Sequence, residues 1–297
     1  MNNITVSLKG GLGNQLFQYA MGRALASSYN APLVLDLSGF KKDYFFKRTF
    51  ELMAFNLPHE ITISNNPVKF QLGRFFSHSS LLCKSVSSSY LIEPLESYDQ
   101  FLDNRGSNKL TRDLYVFGNW QNAKYFEKIQ SILKEEFSLR EPLSHLNQDI
   151  HSLISQATHP ISIHIRRNHN LPSPASTHSA ANSKKIREGV TLQMDFYNSA
   201  ISLLKSKISQ PTFFIFSDDP QWTSENFKID GEAVVLDNGR GPDYEDISLM
   251  SACNHHIIAN SSFSWWGAWL GHNENKIVIA PKHALLMPAL PANWITI

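Results

Sequence analysis

The 297-residue sequence holds only two cysteines, Cys83 and Cys253, with no Cys-X-X-Cys pair and no Cys/His ligand spacing. This excludes a disulfide framework and a zinc site of ordinary spacing, and it leaves both residues readable as buried thiols. Neither sign of charge dominates. The 27 basic side chains meet 26 acidic ones for a formal net charge of +1, with no polybasic anchor and no acidic tail. A nucleic-acid partner is therefore not expected. No stretch approaches the roughly 18–20 uninterrupted apolar residues of a membrane span. The opening Met1-Asn2-Asn3-Ile4-Thr5-Val6-Ser7-Leu8 lacks the basic and then apolar pattern of a leader, so a location in the reducing cytoplasm is expected. What is present is 42% apolar residues beside 18% charged ones, enough for the cores of one large α/β domain or two of ordinary size. Small-molecule chemistry is the default.

Ile4, Val6 and Leu8 alternate with Thr5 and Ser7, the period of a strand. A glycine-rich turn, Lys9-Gly10-Gly11-Leu12-Gly13-Asn14-Gln15, leads into a helical pattern at Leu16, Phe17, Ala20, Met21, Ala24 and Leu25, and Leu33 to Leu37 reads as a second strand. This is the opening of a Rossmann-like half. Residues 41–113 show no clear period and read as short helices and loops before the strand Leu114 to Phe117 and an amphipathic helix near Lys124 to Glu136. The same grammar restarts at Ile161-Ser162-Ile163-His164-Ile165. It continues through a helix near Asp195, a strand Thr212 to Phe216, and alternating elements to Lys276–Ala280. Two α/β domains with parallel sheets are predicted, residues 1–154 and 155–297, with a cleft between them.

Strand ends that feed helix N-termini are where α/β folds bind phosphates. A P-loop is excluded at Gly10–Gly13 because no Lys-Ser/Thr follows at the required spacing. A dinucleotide fingerprint fits Gly11 and Gly13 but needs a small residue where Leu16 stands; Asp36, ending the second strand, keeps a ribose contact open. His164-Ile165-Arg166-Arg167 places two guanidiniums at a strand's C-terminal end, a costly position unless an anion meets them or neighbouring carboxylates pair with them. Asn260-Ser261-Ser262-Phe263-Ser264 precedes an apolar helix, so its hydroxyls read either as simple caps or as part of a phosphate cradle. Trp265, Trp266 and Trp269 read as core. Asp218 and Asp219 follow another strand end and suit a base, a ribose or the cap of a helix starting near Pro220.

Taken together, these blocks resemble the α-1,2-fucosyltransferase family, glycosyltransferase family 11, from end to end. The matching stretches are Gly10 to Gln18, Gly118-Asn119-Trp120-Gln121 with Lys124-Tyr125-Phe126, His164 to Arg167, Phe216 to Asp219, and His255 to Leu270. The resemblance implies a GT-B-like α/β architecture of two facing Rossmann-like domains, the first on the acceptor side and the second binding GDP-fucose. It implies inverting transfer of L-fucose from GDP-fucose to a galactose-type hydroxyl of a glycan or lipid-linked oligosaccharide, without cofactor or metal, in surface polysaccharide synthesis. Such an acceptor would draw the protein to the inner face of the membrane. Charge developing on the leaving β-phosphate needs fixed cations and amides. Arg166 and Arg167 fill that role by resemblance and by chemistry. Gly11, Gly13, Asn14, His164, Asn260, Ser261, Ser262, Phe263 and Ser264 are the implied donor contacts, with Asp218 facing guanine or ribose.

One departure stands out. The family commonly follows the double arginine with Gly-Asp-Tyr, whereas Asn168-His169-Asn170 follows here. His169 is then the candidate base for the acceptor hydroxyl, or a solvent-facing loop residue, and Asp36 and Asp195 are further carboxylates near element ends. The polar loop Asn168 to Glu188 is expected to border the acceptor site. Two other classes stay open: an NAD(P)-dependent Rossmann oxidoreductase, and a non-catalytic nucleotide-sugar or glycan-binding relative.

Overall fold

The structure, a computed structural model, describes residues 2–42, 48–77, 89–93, 110–167, 192–237, 241–282 and 289–297. It divides into two compact units, Met1–Arg140 and Glu141–Ile297.

In the first unit β1 (Ile4–Ser7) runs into α1 (Leu12–Tyr29) and then β2 (Leu33–Asp36). Two short strands that sequence periodicity does not show, β3 (Thr62–Ser64) and β4 (Tyr90–Ile92), join them, with α2 (Pro67–Ser77) between. β5 (Leu114–Phe117) completes a five-stranded, all-parallel sheet in the order β3-β2-β1-β5-β4. The expected helix after Lys124 is a 3₁₀ segment, Ala123–Ile129, kinked at Phe126, followed by α3 (Gln130–Glu136). α1 is buried nearly all round, which is why its apolar residues do not confine themselves to one stripe. One side packs Gly22 against Val6 and Leu33, where a Cβ would sit about 3.0 Å from their side chains. The other side sets Phe17 against Phe126 at 6.1 Å between ring centroids.

The second unit opens with α4 (His145–Gln156); the division falls before this helix, at Arg140/Glu141, whereas the expected boundary at 154/155 lies within it. The reason is packing. Ile150 and Ile154 lie among Phe214, Phe216, Leu249 and Met250, and Ser144 and Asn147 donate to the buried carboxylate of Glu245. The chain continues through β6 (His159–Ile165), α5 (Met194–Lys207), β7 (Pro211–Ser217), α6 (Pro220–Asn226), β8 (Ala233–Val235), α7 (Asp243–Ala252), β9 (His255–Ile257), α8 (Ser262–Leu270), β10 (Val278–Ala280) and β11 (Ile295–Thr296). The strands form a parallel sheet ordered β11-β10-β9-β6-β7-β8. β7 is apolar from Phe213 to Phe216 because both its faces are covered: Phe213 and Ile215 pack with Tyr197 and Leu204 of α5, and Phe214 and Phe216 pack towards α4 and α7. Trp265 and Trp266 are fully buried and Trp269 nearly so, as core side chains.

Across the adjacent strands β6 and β9 lies a buried polar pair, Ser162 Oγ and His256 Nδ1 at 2.8 Å. His256 is fully buried, and desolvation, then the charges of Lys276 and His255, hold its ring neutral well below the usual 6.5. The folded state therefore binds fewer protons than the unfolded chain below that value, so stability is retained above it and declines as pH falls through it. The unfolding free energy is expected to drop by up to about 1.4 kcal/mol per pH unit from this group as acid is added. Urea midpoints measured from about pH 7 to about pH 5 should show the decline, and His256→Asn should flatten it; an unchanged slope in the variant refutes the assignment.

Candidate active site

In open parallel sheets a ligand crevice forms where neighbouring strands send their connections in opposite directions. In the second unit that point lies between β6 and β9, because β7 and β8 extend the sheet one way and β10 and β11 the other. Arg166 and Arg167 follow β6, and Asn260 to Ser264 follow β9.

The β6–β7 register pairs Ile165 with Ser217, which brings the residues just beyond the two strands side by side. Asp218 uses this directly: its Oδ1 accepts from Arg167 N at 2.8 Å, and its Oδ2 lies 3.2 Å from Arg166 Nε. Arg167 is further held by Asp219, with Nε and Oδ2 3.3 Å apart, and by the Trp222 ring, whose centroid lies 3.5 Å from Cζ. Asp219 in turn caps α6, accepting from Trp222 N. Arg167 is thus fixed on three sides. Arg166 is gripped only through Nε, about a quarter exposed, and its two terminal nitrogens have no partner among the described residues. Asp218, expected to face guanine or ribose, here meets the arginine segment with both its oxygens.

In the block after β9, Ser261 Oγ accepts from Phe263 N and caps α8. Ser264 is drawn inward, against the expectation of a donor contact: its Oγ accepts from Ala259 N and donates to Ser261 O, and it is 1% exposed. Asn260 is also buried. Ser261, Ser262 and Phe263 keep accessible surface at the start of a helix with no acid in its first turn, an arrangement that favours an anion. His164 lies on the same face of β6 as Ser162, buried, with its ring 5.6 Å from that of Phe263.

The first unit has its own switch point, between β1 and β5. Gly10 carries the conformation that needs glycine, with φ +81°, whereas Gly11 is extended and Gly13 lies within α1. The fingerprint spacing had pointed to the other two. Asn14 Oδ1 accepts from Gln121 Nε2 at 2.7 Å across the two strand ends. Gln15 ties the loop to Gly10, Thr49 and Glu51, and Gln18 accepts from Lys9 N. Glu93, after β4, accepts from the amides of Asn119 and Trp120 and holds Trp120 in the left-handed region at φ 57°, a strained state for a bulky residue. Lys9 Nζ stands 4.3 Å from the Phe117 ring centroid, where burial lowers its pKa against the opposing pull of Glu93. Gln121, Glu93 and Lys9 were not singled out from sequence. The signal available for Gln121 was its place in the Gly118–Gln121 block.

Asp36 is fully buried and accepts from Ser38 N, Ser38 Oγ, Asn66 N and Tyr115 Oη, so it ties the sheet to its covering segments and is not presented to a ribose or an acceptor. Asp195 is an exposed acid in the first turn of α5, favourable to that helix's dipole. Cys253 is buried and its thiol pKa is pushed up by desolvation. His169, the loop Asn168 to Glu188 and Cys83 lie outside the described residues. Among the described residues no group of three or more His, Cys, Asp or Glu side chains is gathered as a metal site.

Two parallel, doubly wound units, the second with arginines and an uncharged helix start at its switch point, define a glycosyltransferase of the GT-B class. The chain belongs to glycosyl transferase family 11, whose model matches residues 93–289. It is 31% identical over 295 residues to the O-antigen biosynthesis glycosyltransferase WbnK of Escherichia coli, covering 93% of this chain and 92% of that one. It is 33% identical over 294 residues to an α-1,2-colitosyltransferase of Escherichia coli, covering 95% and 92%. Its fold is similar to that of the fucosyltransferase NodZ from Bradyrhizobium, with a TM-score of 0.53 at 14% identity over 90% of this chain and 91% of that one. Family membership and the enclosed Asp36 together overturn the oxidoreductase reading.

Proposed function

We propose that this family 11 glycosyltransferase moves L-fucose from GDP-fucose to a galactose-type hydroxyl of a glycan acceptor, forming an α-1,2 linkage with inversion during surface polysaccharide assembly. The observation that carries the reading is Arg166 at the switch point, its Nε 3.2 Å from Asp218 Oδ2 and its side chain about a quarter exposed. A guanidinium fixed in this way meets the charge that grows on the β-phosphate as the sugar leaves, without having to reorganise. Arg167 contributes field from a rigid position, and Ser261, Ser262, Phe263 and the first amides of α8 complete the donor side. In this reading the first unit receives the acceptor near Asn14 and Gln121, His169 takes the acceptor proton, and neither cofactor nor metal is required. Synthesis on a lipid-linked acceptor puts the reaction at the inner face of the membrane; no helix among the described residues is long and apolar enough to cross one.

Colitose in place of fucose is the second reading, favoured by the 33% identity to a colitosyltransferase along nearly the whole chain. The test is to incubate the purified chain with GDP-fucose, or with the corresponding colitose donor, and a galactose-terminated oligosaccharide, with and without a chelator. An α-1,2-fucosylated product in both conditions is expected. Transfer of colitose alone selects the second reading, loss of turnover with chelator removes the metal-free mechanism, and GDP binding without turnover across an acceptor panel indicates a binding-only relative.

A further inference from the structure

Beyond β5 the chain makes a turn that its own residues do not favour. Trp120 is fully buried at φ 57°, whereas the other non-glycine residues at positive φ among the described ones, Asn30 and Gln210, sit at a helix end and in an exposed bend. Glu93 enforces the turn. The β4–β5 register sets Ile92 opposite Phe117, so Glu93 arrives beside Gly118, and its carboxylate accepts from Asn119 N at 2.6 Å and from Trp120 N at 3.0 Å. Gly118 lets the two close together, since a Cβ there would stand 2.6 Å from Glu93 Cβ and 2.9 Å from the Trp120 indole. Trp120 also meets Tyr125 edge-on at 5.6 Å and accepts from Asn122 N at 2.8 Å.

The turn delivers Gln121. Its Nε2 donates to Asn14 Oδ1 at 2.7 Å, and Gly10 leaves room for the Asn14 amide, because a Cβ there would fall 2.8 Å from Nδ2. Gln121 is partly exposed, and among the described residues its Oε1 and its second Nε2 hydrogen have no partner. One acceptor and one donor on an uncharged planar amide match a hydroxyl, which both gives and takes a hydrogen bond. A phosphate, which only accepts at its charged oxygens, matches them poorly.

We propose, resting on the assignment of the first unit to the acceptor, that Gln121 holds a hydroxyl of the acceptor sugar and that Glu93 is the positioning residue that keeps it in place. Glu93 touches no substrate in this arrangement. Without its carboxylate Trp120 relaxes towards negative φ, and Gln121, the next residue, is drawn off Asn14.

The experiment is a ligand-observed NMR titration of the full chain with a galactose-terminated oligosaccharide in the presence of GDP, and with GDP alone, for wild type, Gln121→Ala, Glu93→Gln and the double variant. Gln121→Ala should weaken glycan affinity by about three- to tenfold, the loss of a neutral hydrogen bond, with GDP affinity unchanged. Glu93→Gln, which keeps one acceptor oxygen, should weaken it by about two- to threefold. The double variant should bind no more weakly than Gln121→Ala alone, because Glu93 acts only through Gln121; a merely structural carboxylate would add its own loss. Thermal melts confirm that each variant is folded, and Glu93→Asp takes the place of Glu93→Gln in the cycle if the latter is not. Additive losses, an unchanged glycan affinity in Gln121→Ala, or a loss of GDP affinity in its place overturn the proposal, as does a wild-type chain that binds GDP but no such glycan. The transfer reaction fails separately: a chain with these glycan affinities that moves no sugar keeps the roles of Gln121 and Glu93 and loses the activity.

Discussion

Arg166→Ala is expected to leave the melting temperature nearly unchanged and to lower kcat by about 10²–10³-fold, the loss seen when one preorganised donor to a developing negative charge is removed. The side chain is partly exposed and, among the described residues, pairs with Asp218, whose side chain is itself 14% exposed, so its truncation costs little in stability. The decisive quantity is how the loss divides between kcat and KM. A contribution realised mainly in the transition state lowers kcat, whereas a uniform binding contact raises KM alone. Arg166→Lys should recover only part of the activity, because an ammonium cannot reproduce the planar fork or the Nε contact to Asp218. Asp218→Asn serves as the companion. It keeps an acceptor for Arg167 N but weakens the grip on Arg166, and an intermediate loss of kcat is expected. Near-normal turnover in Arg166→Ala ends the leaving-group assignment.

Asp36→Ala is expected to act entirely on stability. The carboxylate accepts four hydrogen bonds in a fully buried setting, including 2.6 Å from Tyr115 Oη and 2.9 Å from Asn66 N. Its removal leaves donors on β5, on the turn after β2 and before α2 without a partner. Buried donors left unmade cost about 1–3 kcal/mol each, and with partial relaxation a loss of about 3–5 kcal/mol is expected, a large share of a typical domain's stability. Urea denaturation followed by circular dichroism measures it, and Asp36→Asn, which keeps one acceptor, should lose less. A fully stable Asp36→Ala variant with impaired donor binding would return this residue to a ligand role.

Much of the fold was readable because its central strands are long and carry a clear pattern. β6 alternates and β7 is apolar from Phe213 to Phe216, and both appear in place. β8, β9 and β10 are as short as β3, β4 and β11 but sit in apolar runs that continue past their ends, Leu236, Ile258-Ala259 and Ile277, whereas β3, β4 and β11 are edge strands without such extension and are fixed only by their pairing in the sheet. The arginine pair was legible as chemistry out of place at a strand end. The role of Asp218 was not, because it depends on the pairing of Ile165 with Ser217, a register no local pattern records. Ser264 and Gly11 show a related limit of local pattern. Spacing shows which residues share a loop, but the direction of a hydroxyl and the φ of a glycine are settled by the hydrogen bonds around them.

Among the described residues the anchors of the arginine pair belong to the segment that follows β7: Asp218, Asp219 and Trp222. Both guanidiniums therefore depend on a strand more than fifty residues away, and the β6–β7 register is what sets the charge at this crevice: a one-residue slip of β7 would withdraw the carboxylates and the indole together while leaving the arginine segment itself untouched.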